Sequence, residues 1–318
     1  MNKKKSLKIF KNLLMISVVF VAFFLSAERF LKKTNTIVEN KGMEITKTLN
    51  NDTTIMKDKK LVQSNQILLR TKKKEEEKKH EVIDIKMNEK RIGEKTKASV
   101  NRWKNSIIKL SKRYPDKIIV KGKGDKKIVA LTFDDGPDRD VTPKIIDELK
   151  KHNAKGTFFF EGDRIQHNED VVQKAFKYGN QIAGHSFSHP MFTKESKEEI
   201  IREMTKTNNL INSSIGKSPV FFRPPYGDID ENTLSYLDEN CIAIIWSLDT
   251  FDWVKGTQAA EIAKFVMDSI EPEAIILMHS TIGKNETLKA LPLIIKGLKE
   301  KGYEFVTVSE MLGANAYK

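Results

Sequence analysis

From Lys126 to the C-terminus, short apolar, β-branched and aromatic runs alternate with segments whose apolar residues recur every three or four positions. The short runs predict seven strands, at 128–133, 156–161, 181–184, 219–222, 242–248, 274–278 and 304–308. Between them, amphipathic patterns predict helices over 141–152, 169–178, 195–211, 259–270 and 287–301. Regular alternation of strand and helix implies an α/β fold with a parallel sheet and covering helices. Seven strands in roughly 190 residues suit a small, incomplete barrel, because the full eightfold barrel usually needs about 250.

The pattern upstream is different. Lys3, Lys4, Lys5, Lys8 and Lys11 precede an unbroken low-polarity stretch at 13–27, which Glu28, Arg29, Lys32 and Lys33 follow. Such a run, apolar all round and at the extreme N-terminus, is an export signal and not an amphipathic core helix. The basic block ahead of it keeps the N-terminus inside and sends the rest of the chain outside. Residues 1–33 therefore read as a signal peptide or transmembrane anchor, and the weak cleavage site Leu25-Ser26-Ala27 favours the anchor. Cleavage would instead make the protein secreted. Residues 34–115 are Lys-rich and poor in aromatics, and they read as a charged flexible tether with a reach of roughly 50 Å. Within it Val100, Trp103, Ile107 and Leu110 recur at helical spacing, so one short helix is expected to pack on the domain at 116–318.

Charge sharpens this division. Residues 1–125 hold 32 Lys and Arg against 14 Asp and Glu, a net +18, whereas residues 126–318 hold 24 against 29, a net −5. The overall +13 thus belongs to the anchor and tether, and a nucleic-acid-binding reading fails because the folded part is mildly acidic. The lone Cys241 lies in an apolar run and is expected to be a buried structural thiol.

Residues able to do chemistry cluster at predicted strand ends. Asp134 and Asp135 end the first strand, His185 and His189 follow the third, Arg223 the fourth, and 249–253 the fifth, while His279 ends the sixth. In parallel α/β architectures that carboxyl-end face is where sites are built. The pair Asp134 and Asp135 before Gly136-Pro137 could be a simple turn, and His185 and His189 a simple surface pair. Converging on one face, they read more economically as a metal site with one Asp as ligand and the other as base.

Five segments carry a family resemblance: Thr132-Phe-Asp-Asp-Gly136, His185-Ser-Phe-Ser-His189, Arg223-Pro-Pro-Tyr226, Asp249-Thr-Phe-Asp-Trp253 and Leu277-Met-His279. In this order, over about 126–311, the chain resembles the polysaccharide deacetylases with a NodB-type domain, carbohydrate esterase family four. The resemblance implies a distorted (β/α)7 barrel and metal-dependent removal of N-acetyl groups from amino sugars. It implies Asp135, His185 and His189 as metal ligands, Asp134 as general base and His279 as general acid. Arg223 is then expected to hold the base, Asp252 to join the polar network, and a backbone N–H near Tyr226 to face the oxyanion. Trp253 and Leu277 are expected to form the slot for the acetyl methyl, although Leu277 reads equally well as core. Trp246, in a strand apolar on both sides, reads as core. The resemblance favours Zn²⁺, while two imidazoles and a carboxylate also suit Co²⁺, Ni²⁺ or Fe²⁺.

The expected protein is a monomeric, extracytoplasmic, membrane-anchored enzyme acting on a cell-wall glycan, peptidoglycan first. Chitin oligomers or poly-N-acetylglucosamine are the alternative substrates. A wall-glycan-binding protein without turnover is the alternative from another class.

Overall fold

Residues 84–318 are described by the computed structural model of the chain. The export segment at 1–33 and the tether as far as residue 83 lie outside the described residues. Among the described residues no helix is long and apolar enough to cross a membrane.

Among the described residues ten strands form one sheet: β1 (Lys86–Met87), β2 (Ile118–Ile119), β3 (Ile128–Asp134), β4 (Gly156–Phe160), β5 (Gln181–Gly184), β6 (Phe221–Phe222), β7 (Ile242–Ile244), β8 (Leu248–Asp249), β9 (Ala274–His279) and β10 (Glu304–Phe305). The helices are α1 (Glu94–Arg113), α2 (Val141–Lys151), α3 (Gly162–Ile165), α4 (Glu169–Lys177), α5 (Lys197–Ile215), α6 (Glu231–Tyr236), α7 (Ala259–Ser269), α8 (Asn285–Glu300) and α9 (Val308–Leu312). Hydrogen bonding runs β1-β8-β9-β3-β4-β5-β6-β7-β2, with β10 beside β3, and every strand pair is parallel. No pairing joins the edge strands β1 and β2, so the α/β sheet is a curled half-barrel that stays open.

All seven expected strands form. The third has its expected bounds, the last stops at Phe305, and the fifth breaks into β7 and β8 at Ile245-Trp246-Ser247. The five expected helices form as well, α5 running on to Ile215 before Gly216 ends it in the left-handed conformation at φ 68°. Two-residue strands such as β1 and β2 carry too little alternation to be read from sequence.

Period-two alternation sorts each strand between two cores. Val129, Leu131 and Phe133 of β3 pack against α2, α4, α7 and α8, through residues such as Ile145, Val172, Val266 and Ile294. Ala130 of β3, Phe159 of β4, Ala183 of β5 and Ile275 and Leu277 of β9 fill the inner core. Two residues beyond these inner positions come Thr132, His185 and His279, and Asp134 follows two residues after Thr132. The register that buries the core therefore also points the chemistry inward.

The folded body starts earlier than the change of sequence texture at Lys126. Ile85, Ile107 and Leu110 are buried in the inner core, and β1 pairs with β8 in the register Lys86↔Leu248 and Met87↔Asp249. The expected helix at Val100–Leu110 is thus the middle of the 20-residue α1, and residues 84–113 pack on the domain.

Candidate active site

Strand β3 delivers Asp134 and then Asp135 at the carboxyl edge. The backbone turns left-handed at Asp135, φ 65°, so the two carboxylates diverge. Ser186, His189, Tyr226 and Phe251 share this conformation at 56–61°. Among the described residues, five of the seven non-glycine positions with positive φ thus lie in the segments around this cleft, where strain is a mark of a constrained site.

Asp135 Oδ1 stands 3.5 Å from Nε2 of both His185 and His189. Ligands about 2.0–2.2 Å from a tetrahedral ion lie about 3.4 Å apart, so these atoms suit a small divalent cation. His185 Nδ1–H donates to the Arg223 carbonyl at 2.7 Å, which aims the Nε2 lone pair at the cluster. Burial, and then His185, pushes His189 down to about 4, leaving the neutral imidazole that a ligand must be. For Asp135, burial is outweighed by the imidazoles around it, His185 first, and its carboxyl sits well below the usual range. The donor set fits a metal. The loop between His185 and His189 is itself held by Glu203 of α5, which is 3% exposed and accepts from the N–H of Phe187 (2.8 Å), the N–H of Ser188 (2.7 Å) and the Ser188 hydroxyl (2.9 Å).

Asp134 is a neighbour of this set with a different partner. Its Oδ1 accepts from Arg223 Nη1 at 2.7 Å, while its Oδ2 is 3.8 Å from His185 Nε2. Arg223 is fully buried and also donates to Thr132 Oγ1 (2.9 Å), Ile244 O (3.0 Å) and Ile245 O (2.9 Å). Those two carbonyls lie where the fifth strand breaks, so the guanidinium spans the gap and fixes Asp134 together.

Asp134 and His279 are register partners on β3 and β9. Asp252 accepts from His279 twice, Oδ1 from Nδ1 at 2.7 Å and Oδ2 from the backbone N–H at 2.8 Å, and the Thr287 hydroxyl adds a bond at 2.6 Å. Burial opposes charge on His279, but Asp252 outweighs it and raises the imidazole to about 9. It is therefore protonated at neutral pH with Nε2–H free to donate.

These groups line a cavity of about 450 Å³ together with Tyr226, Trp253, Leu277 and Trp246. Tyr226 is 59% exposed and packs edge-on to His189, with ring centroids 4.6 Å apart. Among the described residues no backbone carbonyl accepts from the Tyr226 N–H. Trp253 is 44% exposed, and Leu277 is at once core and cavity wall. Trp246 is buried as expected, yet it also lines the cavity, which the apolar run around it could not reveal. Asp249 was legible only as a motif position. It is buried, its Oδ1 accepts from the Phe251 N–H and from Trp253 Nε1, and burial pushes its carboxyl up to about 7.

Residues 121–243 match the family model described as polysaccharide deacetylase. A peptidoglycan-N-acetylglucosamine deacetylase of Bacillus cereus is 42% identical over 193 residues, spanning 60% of this chain and 70% of that protein. The peptidoglycan-N-acetylglucosamine deacetylase PgdA of Listeria monocytogenes is 39% identical over 210 residues, 64% of this chain but only 44% of the relative. Among solved structures, a peptidoglycan N-acetylglucosamine deacetylase in complex with an N-oxidanyl-benzamide superposes with a TM-score of 0.63 at 38% identity, covering 65% of this chain and 98% of that one.

Proposed function

Because the chain belongs to the polysaccharide deacetylase family, we propose that it hydrolyses N-acetyl groups on the amino sugars of peptidoglycan, releasing acetate and leaving free amines. The observation that carries this reading is the cleft in which Asp135, His185 and His189 converge beside two separately supported groups, Asp134 on Arg223 and His279 on Asp252.

A divalent ion held by Asp135, His185 and His189 would supply Lewis-acid polarisation of the acetyl carbonyl and acidify water. Zn²⁺ is the metal proposed, with Co²⁺, Ni²⁺ and Fe²⁺ the alternatives. Asp134 takes a proton as the water oxygen bonds to the acetyl carbon. The Tyr226 N–H is the protein donor proposed for the developing oxyanion. As the carbon–nitrogen bond breaks, His279 Nε2–H protonates the nitrogen, which would otherwise leave as a very poor amide anion. Acetate and the sugar amine are the products. Trp253 and Leu277 shape the slot for the acetyl methyl.

N-acetylglucosamine is the sugar proposed, because the Bacillus cereus and Listeria monocytogenes relatives are named as deacetylases of it. Anchoring through residues 1–33 would place the domain outside the membrane, in reach of the wall.

The test is to load the full chain with Zn²⁺ and follow acetyl loss from muropeptides and chitin oligomers by mass spectrometry. Loss from muropeptides is expected. Glycan binding with no acetate released from any substrate, whatever the divalent metal, would instead support a non-catalytic wall-binding protein.

A pH profile tests the acid. His279 must be protonated to act, so kcat falls as pH rises through its pKa, near 9. Asp252→Asn removes the charge that offsets burial, so the basic limb should move down by about one to three pH units. An unmoved limb would show that another group supplies the proton.

A further inference from the structure

One wall of the cleft lies ahead of the stretch that the polysaccharide deacetylase family model matches, residues 121–243: Met87 of β1 and Ser99, Val100 and Trp103 of α1 line the cavity that holds the catalytic groups. This placement is built. Ile85, Ile107 and Leu110 are buried on the barrel, and β1 sits in register beside Asp249. Lys104 of α1 is paired with Asp84 at 2.5 Å.

Trp103 makes the tightest junction. Its ring stacks on Trp246 with centroids 5.2 Å apart and planes inclined by 26°, and its Nε1–H donates to the Gly227 carbonyl at 3.0 Å. A Cβ on Gly227 would stand 2.8 Å from Trp103 Cζ2, and Gly227 is in the left-handed region at φ 63°, so this close approach requires glycine. Trp246 in turn lies over the Arg223 guanidinium, 5.6 Å from its ring centroid. Trp103, Trp246, Arg223 and Asp134 thus form one continuous series of contacts.

A helix kept only for stability would bury its apolar face and stop there. Here, toward the N-terminal end of α1, Ser99 is exposed, while Val100 and Trp103 are half-buried beside the reacting groups. The apolar and aromatic part of this surface, Met87, Val100 and Trp103, suits the hydrophobic faces of sugar rings. Tyr226 and Trp253 are exposed and line the same cavity, so a glycan resting on them shares it with α1.

We propose that α1 and β1 form a glycan-binding wall, in which Ser99, Val100, Trp103 and Met87 contact the sugar chain next to the reacting residue and so set the preference for a polymer over a short oligomer. This deepens, and rests on, the deacetylase reading of the same cleft. Trp103 is a specificity-determining residue here and not a catalytic one.

The full chain carrying Asp134→Asn, which slows turnover, would be loaded with Zn²⁺ and titrated calorimetrically with the hexamer and the dimer of β-1,4-linked N-acetylglucosamine. Adding Ser99→Trp, which puts bulk on the wall and keeps Trp103 itself, should weaken hexamer binding by about tenfold or more while leaving the dimer within about twofold. Trp103→Ala should act in the same direction. Asn105→Trp, at an exposed position of α1 away from the cavity, should change neither. Hexamer binding unaltered by Ser99→Trp, at an unaltered melting temperature, would overturn the wall, as would equal weakening for both oligomers. Failure of the deacetylase reading looks different: the protein with Asp134 intact would release no acetate from the hexamer, although Ser99-dependent binding persisted.

Discussion

Asp134→Asn should leave the protein folded and its metal content unchanged while lowering kcat by roughly 10²- to 10⁴-fold. The substitution keeps shape and keeps an oxygen that can accept from Arg223 Nη1, now 2.7 Å from Asp134 Oδ1. It removes the basic lone pair that would take a proton from water. Metal content is the discriminating readout, because Asp134 Oδ2 stands 3.8 Å from His185 Nε2 and Asp135 Oδ1 only slightly closer, at 3.5 Å. If the two aspartates divide the work as proposed, Asp135→Asn loses metal and Asp134→Asn does not. The reverse pattern would exchange their roles. Activity falling in both variants with metal retained in both would leave neither aspartate as an essential ligand.

The division was partly legible because strand alternation is a strong signal. Ala130, Thr132 and Asp134 share one face of β3, as Ile275, Leu277 and His279 share one face of β9, and the hydrophobic pattern that fixes the face also fixes where the polar residue points. The carboxyl-end convergence of five segments followed from topology in the same way. What could not be read was anything set by long-range partners. The run at 242–248 looks like one strand, and nothing local shows that Arg223 enters at Ile244 and Ile245 and opens it. Residues 84–113 read as part of the tether at 34–115 because their average composition is polar. Their four helical-spaced apolar residues gave the helix, but not the edge strand β1 that brings Met87 to Asp249. Glu203 was invisible for a related reason: a glutamate inside an amphipathic helix reads as solvated unless its three loop donors are known.

Arg223→Met should destabilise the protein by about 3–5 kcal/mol, lowering its melting temperature by roughly 10 °C, and should lower activity as well. The side chain is wholly buried, and its volume is matched well enough that loss of packing is a small part of the effect. The larger part is electrostatic. Methionine leaves the Asp134 carboxylate without its cation, and it deprives the Ile244 and Ile245 carbonyls of donors at the break in the strand. Lysine should restore little, since one ammonium cannot reach four acceptors on β3 and the opened fifth strand, nor lie flat over Phe159 as the guanidinium does, 4.1 Å from that ring centroid. Adding Asp134→Asn to Arg223→Met removes the stranded charge, so the double variant should regain part of the stability that Arg223→Met loses while remaining inactive. Denaturation curves for the four proteins of this cycle give the coupling directly. A strongly positive coupling is expected from a buried pair at 2.7 Å, whereas simple additivity would mean that the arginine serves the opened strand alone and that the base keeps its place without it.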